Sequence, residues 1–270
     1  MKSIVLVGDT GLTGSHFYEN YNTQYSILGF NSNNSKSITL PEKFEALLFL
    51  AQSTDYKSTL FTADLLDVNI SLLRNFLTEG IGKTKKIIFF STGSVYQIDT
   101  KVIDEDTPLN YNSTNPYVCS KIMAELLLQS FLPFYESITI VRPFFIYGKN
   151  QKQNMLFSSM ISNIRNGNPI TLNDGKGLIF NPVHAQDAAG FIHHIIEEEY
   201  QGLNTFNLFG PEVTNLVDCV NYMEQELNLK ANININPNQP STIVATSKFK
   251  ELFQSKISVL EGLKKMIHNN

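Results

Sequence analysis

The amino-terminal stretch IVLVGDTGLTGSHFYENY constrains the fold more than any other part of the chain, because it joins an apolar run to three spaced glycines. Ile4–Val7 is apolar, mostly β-branched and of the right length for a buried strand. Gly8, Gly11 and Gly14 follow, and a helix-like pattern continues to Tyr21. A strand that turns directly into a helix points bare backbone N–H groups, and the positive end of the helix dipole, at the turn. The stretch therefore predicts a phosphate-binding loop.

Each glycine has its own task in such a loop. Gly8 allows a tight turn, Gly11 lets a pyrophosphate approach the backbone, and Gly14 lets the helix pack close to the strand. Three spaced glycines also suit an ordinary glycine-rich turn. The strand before them and the helix after them favour the dinucleotide-binding interpretation.

The composition excludes several classes of function. The chain has 270 residues, a formal net charge of −4 and 17% charged residues, so we expect neither nucleic acid nor a membrane surface as a partner. No apolar run reaches transmembrane length and no signal peptide is visible, which predicts a cytoplasmic protein. Cys119, Cys219 and the five histidines fit no metal-ligand spacing, so no metal site is expected.

Strand-like and helix-like segments alternate from residue 1 to about residue 148. This alternation predicts an α/β fold with a doubly wound, mostly parallel sheet over residues 1–148. Residues 149–270 are expected to form a smaller α/β lobe, from which elements near 183–209 return to the sheet. After the first strand and helix, strands are predicted at 25–30, 46–50, 86–90, 138–141, 205–208 and 231–235, and helices at 60–77, 116–132, 155–165, 186–199, 216–227 and 259–267.

Two of the segments that connect the predicted strands and helices have sequences that predict their structure. The segment between the second and third strands is too short for an ordinary crossover helix, so we expect a turn with residues 38–40 as a short edge strand. After the helix at 155–165, the chain passes Gly167 and Pro169 into a segment rich in Gly, Asn and Asp, which predicts a loop.

The end of the second strand lacks the acid that dinucleotide-binding units usually place there for the ribose hydroxyls. Residues 31–36 read NSNNSK instead. This sequence predicts a weak hold on the adenosine half of the cofactor. Because no acid there repels a 2′-phosphate and Lys36 is near, NADP is expected to bind at least as well as NAD.

Candidate catalytic groups follow the strand at 86–90. Ser91, Thr92 and Ser94 come directly after it, where the carboxyl ends of parallel strands usually meet a ligand. Tyr117 and Lys121 lie four apart on the next helix and project from one face. A nearby ammonium favours the phenolate and pulls the tyrosine pKa towards the working range. The same spacing is common on solvated helices, so the order of the motifs is what favours acid–base chemistry.

Taken together, these motifs resemble the extended short-chain dehydrogenase/reductase family, in particular its nucleotide-sugar epimerases, dehydratases and ketoreductases. The resemblance rests on the glycine loop, STGSVY, NPYVCSK and VRPFFIYG, and continues through VHAQDAA, TFNLFG and SVLEGLKKMI. It therefore covers essentially the whole chain. It implies an NAD(P)-binding Rossmann domain, a nucleotide-sugar substrate, and a homodimer formed through the helices at 60–77 and 116–132.

The resemblance also implies roles for particular residues. Tyr117 would be the catalytic acid/base, Lys121 would tune it, and Thr92 would bind the reacting sugar oxygen. The implied cofactor-binding residues are Gly8, Thr10, Gly11, Leu12, Gly14, Asn31, Leu50, Ala51, Asn69, Tyr117 and Lys121. The substrate-binding candidates are Ser94, Arg142, Asn154 and His184, of which Arg142 is equally suited to a structural ion pair.

Departures from the family pattern reduce the number of reactions that this chain is expected to catalyse. Dehydratases of the group carry an Asp-Glu pair directly after the catalytic Thr, whereas this chain has Gly93-Ser94, which disfavours dehydration. The weak adenosine site favours a 4-ketoreductase that consumes external NAD(P)H. A 4-epimerase with tightly bound NAD uses the same catalytic residues and is the alternative. A non-catalytic dinucleotide-binding regulator is less favoured, because Tyr117 and Lys121 are both intact.

Overall fold

A computed structural model describes residues 1–35, 37–98, 102–249 and 251–268. The chain divides into two compact units. The first comprises Met1–Gln97, Glu105–Pro143 and Ala189–Asn207, and the second comprises Ile98–Asp104, Phe144–Ala188 and Leu208–Asn270.

The strands and helices have the following bounds. The strands are β1 (Lys2–Val7), β2 (Tyr25–Phe30), β3 (Ala46–Phe49), β4 (Lys86–Phe90), β5 (Val102–Ile103), β6 (Ser137–Pro143), β7 (Pro169–Asn173), β8 (Ile179–Phe180), β9 (Gly202–Leu208), β10 (Thr214–Asn215), β11 (Asn232–Asn236) and β12 (Thr242–Ala245). The helices are α1 (Leu12–Tyr21), α2 (Ala63–Leu66), α3 (Leu73–Gly80), α4 (Pro116–Phe131), α5 (Leu156–Asn166), α6 (Ala185–Glu197), α7 (Leu216–Leu227) and α8 (Val259–His268).

The first unit is built on a six-stranded parallel sheet in the order β2-β1-β3-β4-β6-β9. This sheet confirms the predicted doubly wound α/β fold. The chain leaves β1 for β2 on one side and then crosses to β3 on the other, so the winding direction reverses at β1. Ligands bind outside the carboxyl ends of the strands at such a switch point.

The core of this unit explains why these residues form strands. The residues of Ile4–Val7 are almost fully buried, as expected for a central parallel strand with both faces covered. On one face, Phe76 of α3 packs edge-to-face against Phe30 and Phe49. These aromatic contacts bury apolar surface between the helix layer and the sheet.

The second unit has two smaller sheets. A mixed sheet runs in the order β10-β8-β12-β5, and a two-stranded parallel sheet pairs β11 with β7. Its core includes Phe157, Val220 and Leu263, which come from α5, α7 and α8. The predicted smaller carboxyl-terminal α/β lobe therefore has its own hydrophobic core.

Three local expectations are corrected. Residues 38–40 form no strand, although the predicted turn in place of a crossover helix is confirmed for residues 31–35 and 37–45. The segment predicted as a loop after α5 contains β7 and β8, because Ile170 and Leu172 alternate with exposed positions and pack into the core. The helix predicted at 60–77 is interrupted by a π-helical segment, Asp67–Leu72, between α2 and α3.

Across the described ranges, no helix is both long enough and apolar enough to span a bilayer. The same ranges contain no group of three or more His, Cys, Asp or Glu side chains arranged to hold a metal ion.

Candidate active site

The glycine loop joins β1 to α1 with almost no room for side chains. Gly8 has φ +96°, and a Cβ there would lie 2.7 Å from the backbone nitrogen of Ala51. A Cβ on Gly14 would lie 2.1 Å from the carbonyl oxygen of Gly8. Gly11 is the N-cap of α1 and brings no capping side chain, so the first N–H groups of the helix are left for another partner. This bare cradle fits the pyrophosphate of a dinucleotide.

The loop also packs against the ends of neighbouring strands. Leu50 and Ala51, which follow β3, provide the backbone atoms that a Cβ on Gly8 would meet first. On the other side, the carbonyl of Phe30 accepts the N–H of Gly8 at 2.7 Å. The predicted cofactor residues Gly8, Leu50 and Ala51 therefore lie together at the switch point.

An acidic side chain from the loop reaches the end of β2. Asp9 Oδ1 accepts a hydrogen bond from Asn31 Nδ2 at 3.1 Å. A Cβ on Gly29 would lie 2.2 Å from Asp9 Oδ2, so this position of the carboxylate depends on the glycine. Lys36, which the sequence places near a 2′-phosphate, lies outside the described residues.

Helix α4 starts at a well-defined residue. The Asn115 side chain accepts the backbone N–H groups of Tyr117 at 3.0 Å and Val118 at 3.3 Å, and Pro116 occupies the first helical position. An Asn cap followed by Pro fixes where a helix begins. Tyr117 is thereby held in the first turn of α4.

Three polar residues, each four apart, form what we term the α4 stripe: Tyr117, Lys121 and Glu125. Residues at this spacing share one face of a helix. Tyr117 is half-buried, whereas Lys121 and Glu125 are buried. Polar groups this deep in a protein require partners.

The partners of the α4 stripe are consecutive residues at the end of β4. Each residue of the stripe faces a different one: the Thr92 side chain lies beside Tyr117 and favours its phenolate, the Phe90 carbonyl accepts from Lys121 Nζ at 3.0 Å, and Ser91 Oγ donates to Glu125. The carboxyl end of one strand thus positions the predicted catalytic pair.

Burial moves the pKa of both members of that pair. Burial raises the pKa of Tyr117, while the neighbouring Thr92 side chain lowers it in part by favouring the phenolate. Burial lowers the pKa of Lys121 to about 8, and the charge of Glu125 opposes this shift. A lysine with a pKa of about 8 exchanges its proton close to neutral pH, which suits proton transfer.

Glu125 is also one half of a buried ion pair. Arg142 donates to its two carboxylate oxygens from Nε at 3.1 Å and Nη2 at 2.6 Å. The guanidinium lies 4.7 Å from the centroid of the Tyr96 ring, whose hydroxyl donates to Asn207 Oδ1 at 2.7 Å. Arg142 therefore makes the structural ion pair that the sequence allowed, and its contact with substrate stays a prediction.

Asn69 connects the loop after β3 to α4 from within the π-helical segment. It is fully buried, its Oδ1 accepts the Ser53 N–H at 3.2 Å, and its Nδ2 donates to Ser120 Oγ at 2.8 Å. Ser120 Oγ in turn donates to the carbonyl of Tyr117 at 2.8 Å. π-Helical turns often mark functional sites, and here one orients an amide that supports the first turn of α4.

The remaining predicted residues have these positions. Thr10 is exposed in the glycine loop, and Leu12 is the first residue of α1. Ser94 is exposed and donates its N–H to Thr92 Oγ1 at 3.2 Å. In the second unit, Asn154 is exposed before α5, and His184 is buried, with its Nδ1 accepting the N–H of Gln186. Their roles in binding stay predictions.

Sequence reasoning did not assign a role to Ser91, Glu125 or Asp9. A signal existed for Glu125, since an acid four residues after Lys121 belongs to the same helix face. Ser91 was one of three hydroxyl candidates after the strand at 86–90, and the family pattern favoured Thr92, three residues before Val95. Asp9 gave no signal, since its contact with Asn31 depends on how β2 packs beside the loop.

Comparison with known proteins decides the family. Residues 4–208 match the model of the NAD dependent epimerase/dehydratase family. This chain belongs to that family. The resemblance drawn from the motifs is thereby confirmed, and the chain is an enzyme of the NAD-dependent epimerase/dehydratase type.

Individual relatives agree with this assignment. The N-acetyl-alpha-D-glucosaminyl-diphospho-ditrans,octacis-undecaprenol 4-epimerase of Escherichia coli O157:H7 is 25% identical in an alignment of 253 residues that covers 84% of this chain and 73% of that protein. The UDP-glucuronic acid 4-epimerase from Bacillus cereus, solved with UDP-glucuronic acid and NAD, has a TM-score of 0.84 at 19% identity over 97% of both chains. RMD from Pseudomonas aeruginosa, solved with NADPH, has a TM-score of 0.80 at 17% identity over 98% of this chain and 97% of that one. The two solved structures show the same fold.

The coupling between Glu125 and Lys121 is testable without substrate. In protein labelled with ¹³C at the lysine ε-carbon, we expect Lys121 to titrate with a pKa of about 8. Glu125→Gln removes the negative charge that favours the ammonium, so the pKa of Lys121 should fall further. NMR titration of both proteins, with the resonance assigned from Lys121→Arg, measures the change.

A matched control is Glu79→Gln, which removes an exposed carboxylate paired with Lys83 and should leave the Lys121 titration unchanged. Far-ultraviolet circular dichroism verifies that each variant is folded. An unchanged or raised pKa of Lys121 in folded Glu125→Gln protein would contradict the coupling.

Proposed function

We propose that this enzyme transfers a hydride to and from a carbon of a nucleotide-linked sugar, with Tyr117 as the acid/base. The observation that carries the proposal is that Thr92, at the end of β4, favours the phenolate of Tyr117, which shares one face of α4 with buried Lys121. A hydroxyl pair of this kind is suited to hold one sugar oxygen from two sides. The glycine loop that fits a dinucleotide lies in the same unit.

The proposed chemistry assigns one task to each side chain. Tyr117 takes the proton from the sugar hydroxyl during oxidation and returns it during reduction. Thr92 binds the same oxygen and holds it in position beside Tyr117. Lys121 stabilises negative charge on the phenolate. A bound nicotinamide supplies or accepts the hydride, and its positive charge when oxidised favours the phenolate further.

Of the two reactions that this site serves, we propose 4-epimerisation first. Support comes from the Escherichia coli relative, a 4-epimerase whose similarity extends over 84% of this chain. For epimerisation, Tyr117 and Thr92 would hold the C4 oxygen in both directions, and the 4-keto sugar would have to present its opposite face to the site before it is reduced. Because the E. coli protein acts on a sugar linked to undecaprenyl diphosphate, the substrate panel should include polyprenyl-linked as well as nucleotide-linked sugars.

A 4-ketoreductase is the second candidate, favoured by a different observation. In the described parts of residues 31–45, the chain between β2 and β3 contains no helix and no strand. A short connection offers little surface to cover the adenosine half of a cofactor, which suits an enzyme that exchanges it at every cycle. Ketoreduction needs no catalytic residue beyond those already named.

Cofactor retention separates the two reactions. We expect the purified protein to carry dinucleotide through gel filtration and to interconvert C4 epimers of UDP-, dTDP-, CDP- or GDP-sugars without added cofactor. Mass spectrometry of the released dinucleotide and NMR of the sugar products measure both properties. Protein that elutes without dinucleotide and oxidises added NAD(P)H stoichiometrically with a 4-keto sugar would replace the epimerase by the ketoreductase.

Replacing the acid/base gives a second test. Tyr117→Phe should lower turnover by about 10²- to 10⁴-fold, the range for a lost general acid or base, while dinucleotide binding persists. Tyr111→Phe, a matched change at an exposed tyrosine, should leave turnover unchanged. Near-full activity of Tyr117→Phe on the true substrate would remove Tyr117 from the mechanism.

We also propose a homodimer that pairs α4 and the α2–α3 segment with their copies. Met123 and Leu126 on α4 and Leu66 on α2 are exposed, whereas Leu128 is buried in the core of its own unit. Exposed apolar side chains on adjacent helices favour association.

Light scattering should give a dimer at micromolar concentration, and Leu126→Glu should give a monomer. Leu229→Lys, at an exposed site in the second unit, is the control, and a monomeric native protein would count against the proposal.

A further inference from the structure

The five residues directly after β2 contain no acid, yet an acidic side chain does lie at the end of this strand. Residues 31–35 read NSNNS. In dinucleotide-binding folds this position meets the adenosine ribose, where a carboxylate accepts the 2′-hydroxyl of NAD. The carboxylate beside this strand end belongs to Asp9 of the glycine loop.

Several contacts hold Asp9 in that position. The carbonyl of Phe30, the last residue of β2, accepts the N–H of Gly8 at 2.7 Å, which draws the loop to the strand end. Asp9 Oδ1 then accepts from Asn31 Nδ2 at 3.1 Å. The Asp9 carboxylate also occupies the space that a side chain at residue 29 would fill, since a Cβ on Gly29 would lie 2.2 Å from Oδ2.

The orientation of Asn31 is fixed by its own neighbours. Its Oδ1 accepts the N–H of Asn33 at 3.0 Å, so its amide nitrogen is the atom directed at Asp9. Its backbone N–H donates to Asn34 Oδ1 at 2.7 Å, and Asn34 Nδ2 donates to the carbonyl of Gly29 at 3.0 Å. The polar segment after β2 is therefore a turn that supports the Asp9 carboxylate. Within the described part of the chain, no lysine or arginine forms an ion pair with Asp9.

We propose that Asp9 selects NAD(H) over NADP(H). Its carboxylate would accept hydrogen bonds from the hydroxyls of the adenosine ribose and repel a 2′-phosphate. A carboxylate in this place favours a ribose with two hydroxyl donors and disfavours a second anion, so attraction and repulsion act in the same direction. Residues 31–36 predict that NADP binds at least as well as NAD; with an acid supplied by the glycine loop, we expect the opposite preference. The inference goes beyond the proposed sugar reaction and holds for an epimerase or a ketoreductase.

The test measures binding without sugar. Purified protein, freed of any bound dinucleotide, is titrated with NADH and with NADPH while nicotinamide fluorescence is followed. We expect NADH to bind tighter by on the order of 10- to 100-fold, the range for a hydrogen bond to a charged group. Asp9→Asn should bring the two affinities to within about threefold, mainly by improving the binding of NADPH.

Two further variants test whether the Asp9 carboxylate causes the preference for NADH. Glu19→Gln removes an exposed carboxylate from α1 and should leave the preference for NADH unchanged. Gly29→Ala keeps the charge of Asp9 but places a Cβ where the carboxylate lies, so the preference should shrink in protein shown to be folded by circular dichroism. Any dinucleotide released from the protein as purified should be NAD or NADH by mass.

Equal or tighter binding of NADPH by the native protein would overturn the inference, as would release of NADP(H) from it. An Asp9→Asn variant that keeps the full preference for NADH would do the same. These outcomes leave the sugar reaction untouched, since turnover with the preferred dinucleotide is measured separately. Failure of the sugar reaction, with NADH still preferred, would overturn the proposed function alone.

Discussion

The contact between the end of β4 and the first turns of α4 is the interaction on which the site depends. Residues 90–92 present a carbonyl and two hydroxyls in sequence, and the α4 stripe presents a phenol, an ammonium and a carboxylate four residues apart. Three consecutive residues at a strand end can meet three turns of a helix only if the two elements are fixed in register. The Asn115 cap, the Asn69 amide and the parallel sheet fix this register, so the placement of Tyr117 and Lys121 follows from the fold.

The buried pair of Glu125 and Arg142 secures this register at an energetic cost. Taking two charges out of water is unfavourable, and a buried ion pair is weak evidence for stability. Loss of one partner is different, because an uncompensated buried charge costs roughly 3–5 kcal/mol. The pair also keeps a negative charge near Lys121, which opposes the effect of burial on its pKa. We interpret the pair as specifying the position of α4 and the protonation of its lysine.

Local patterns in the sequence predicted the elements that depend on local physics. The apolar run of β1, the glycines after it and the Asn-Pro start of α4 are visible within a few residues, and each has the predicted place. Features that depend on distant contacts were missed. The sequence did not reveal β7, because Ile170 and Leu172 are surrounded by polar residues. It did not reveal the position of Asp9 either, because its partner, Asn31, follows a different strand. The π-helical segment leaves the helical spacing of apolar residues nearly unchanged, so periodicity does not reveal it.

We propose that the fold holds half-buried Tyr117 as an acid/base whose proton affinity changes with the cofactor. Tyrosine labelled with ¹³C at Cζ allows its pKa to be measured directly by NMR, with Tyr117→Phe to assign the resonance. In the free protein the pKa of Tyr117 should lie above the ordinary value of 10, because burial disfavours the phenolate. Saturating NAD⁺ should lower it, since a positive charge beside the ring favours the phenolate. A pKa of Tyr117 below 10 in the free protein, or one that NAD⁺ leaves unchanged, would contradict this role of Tyr117.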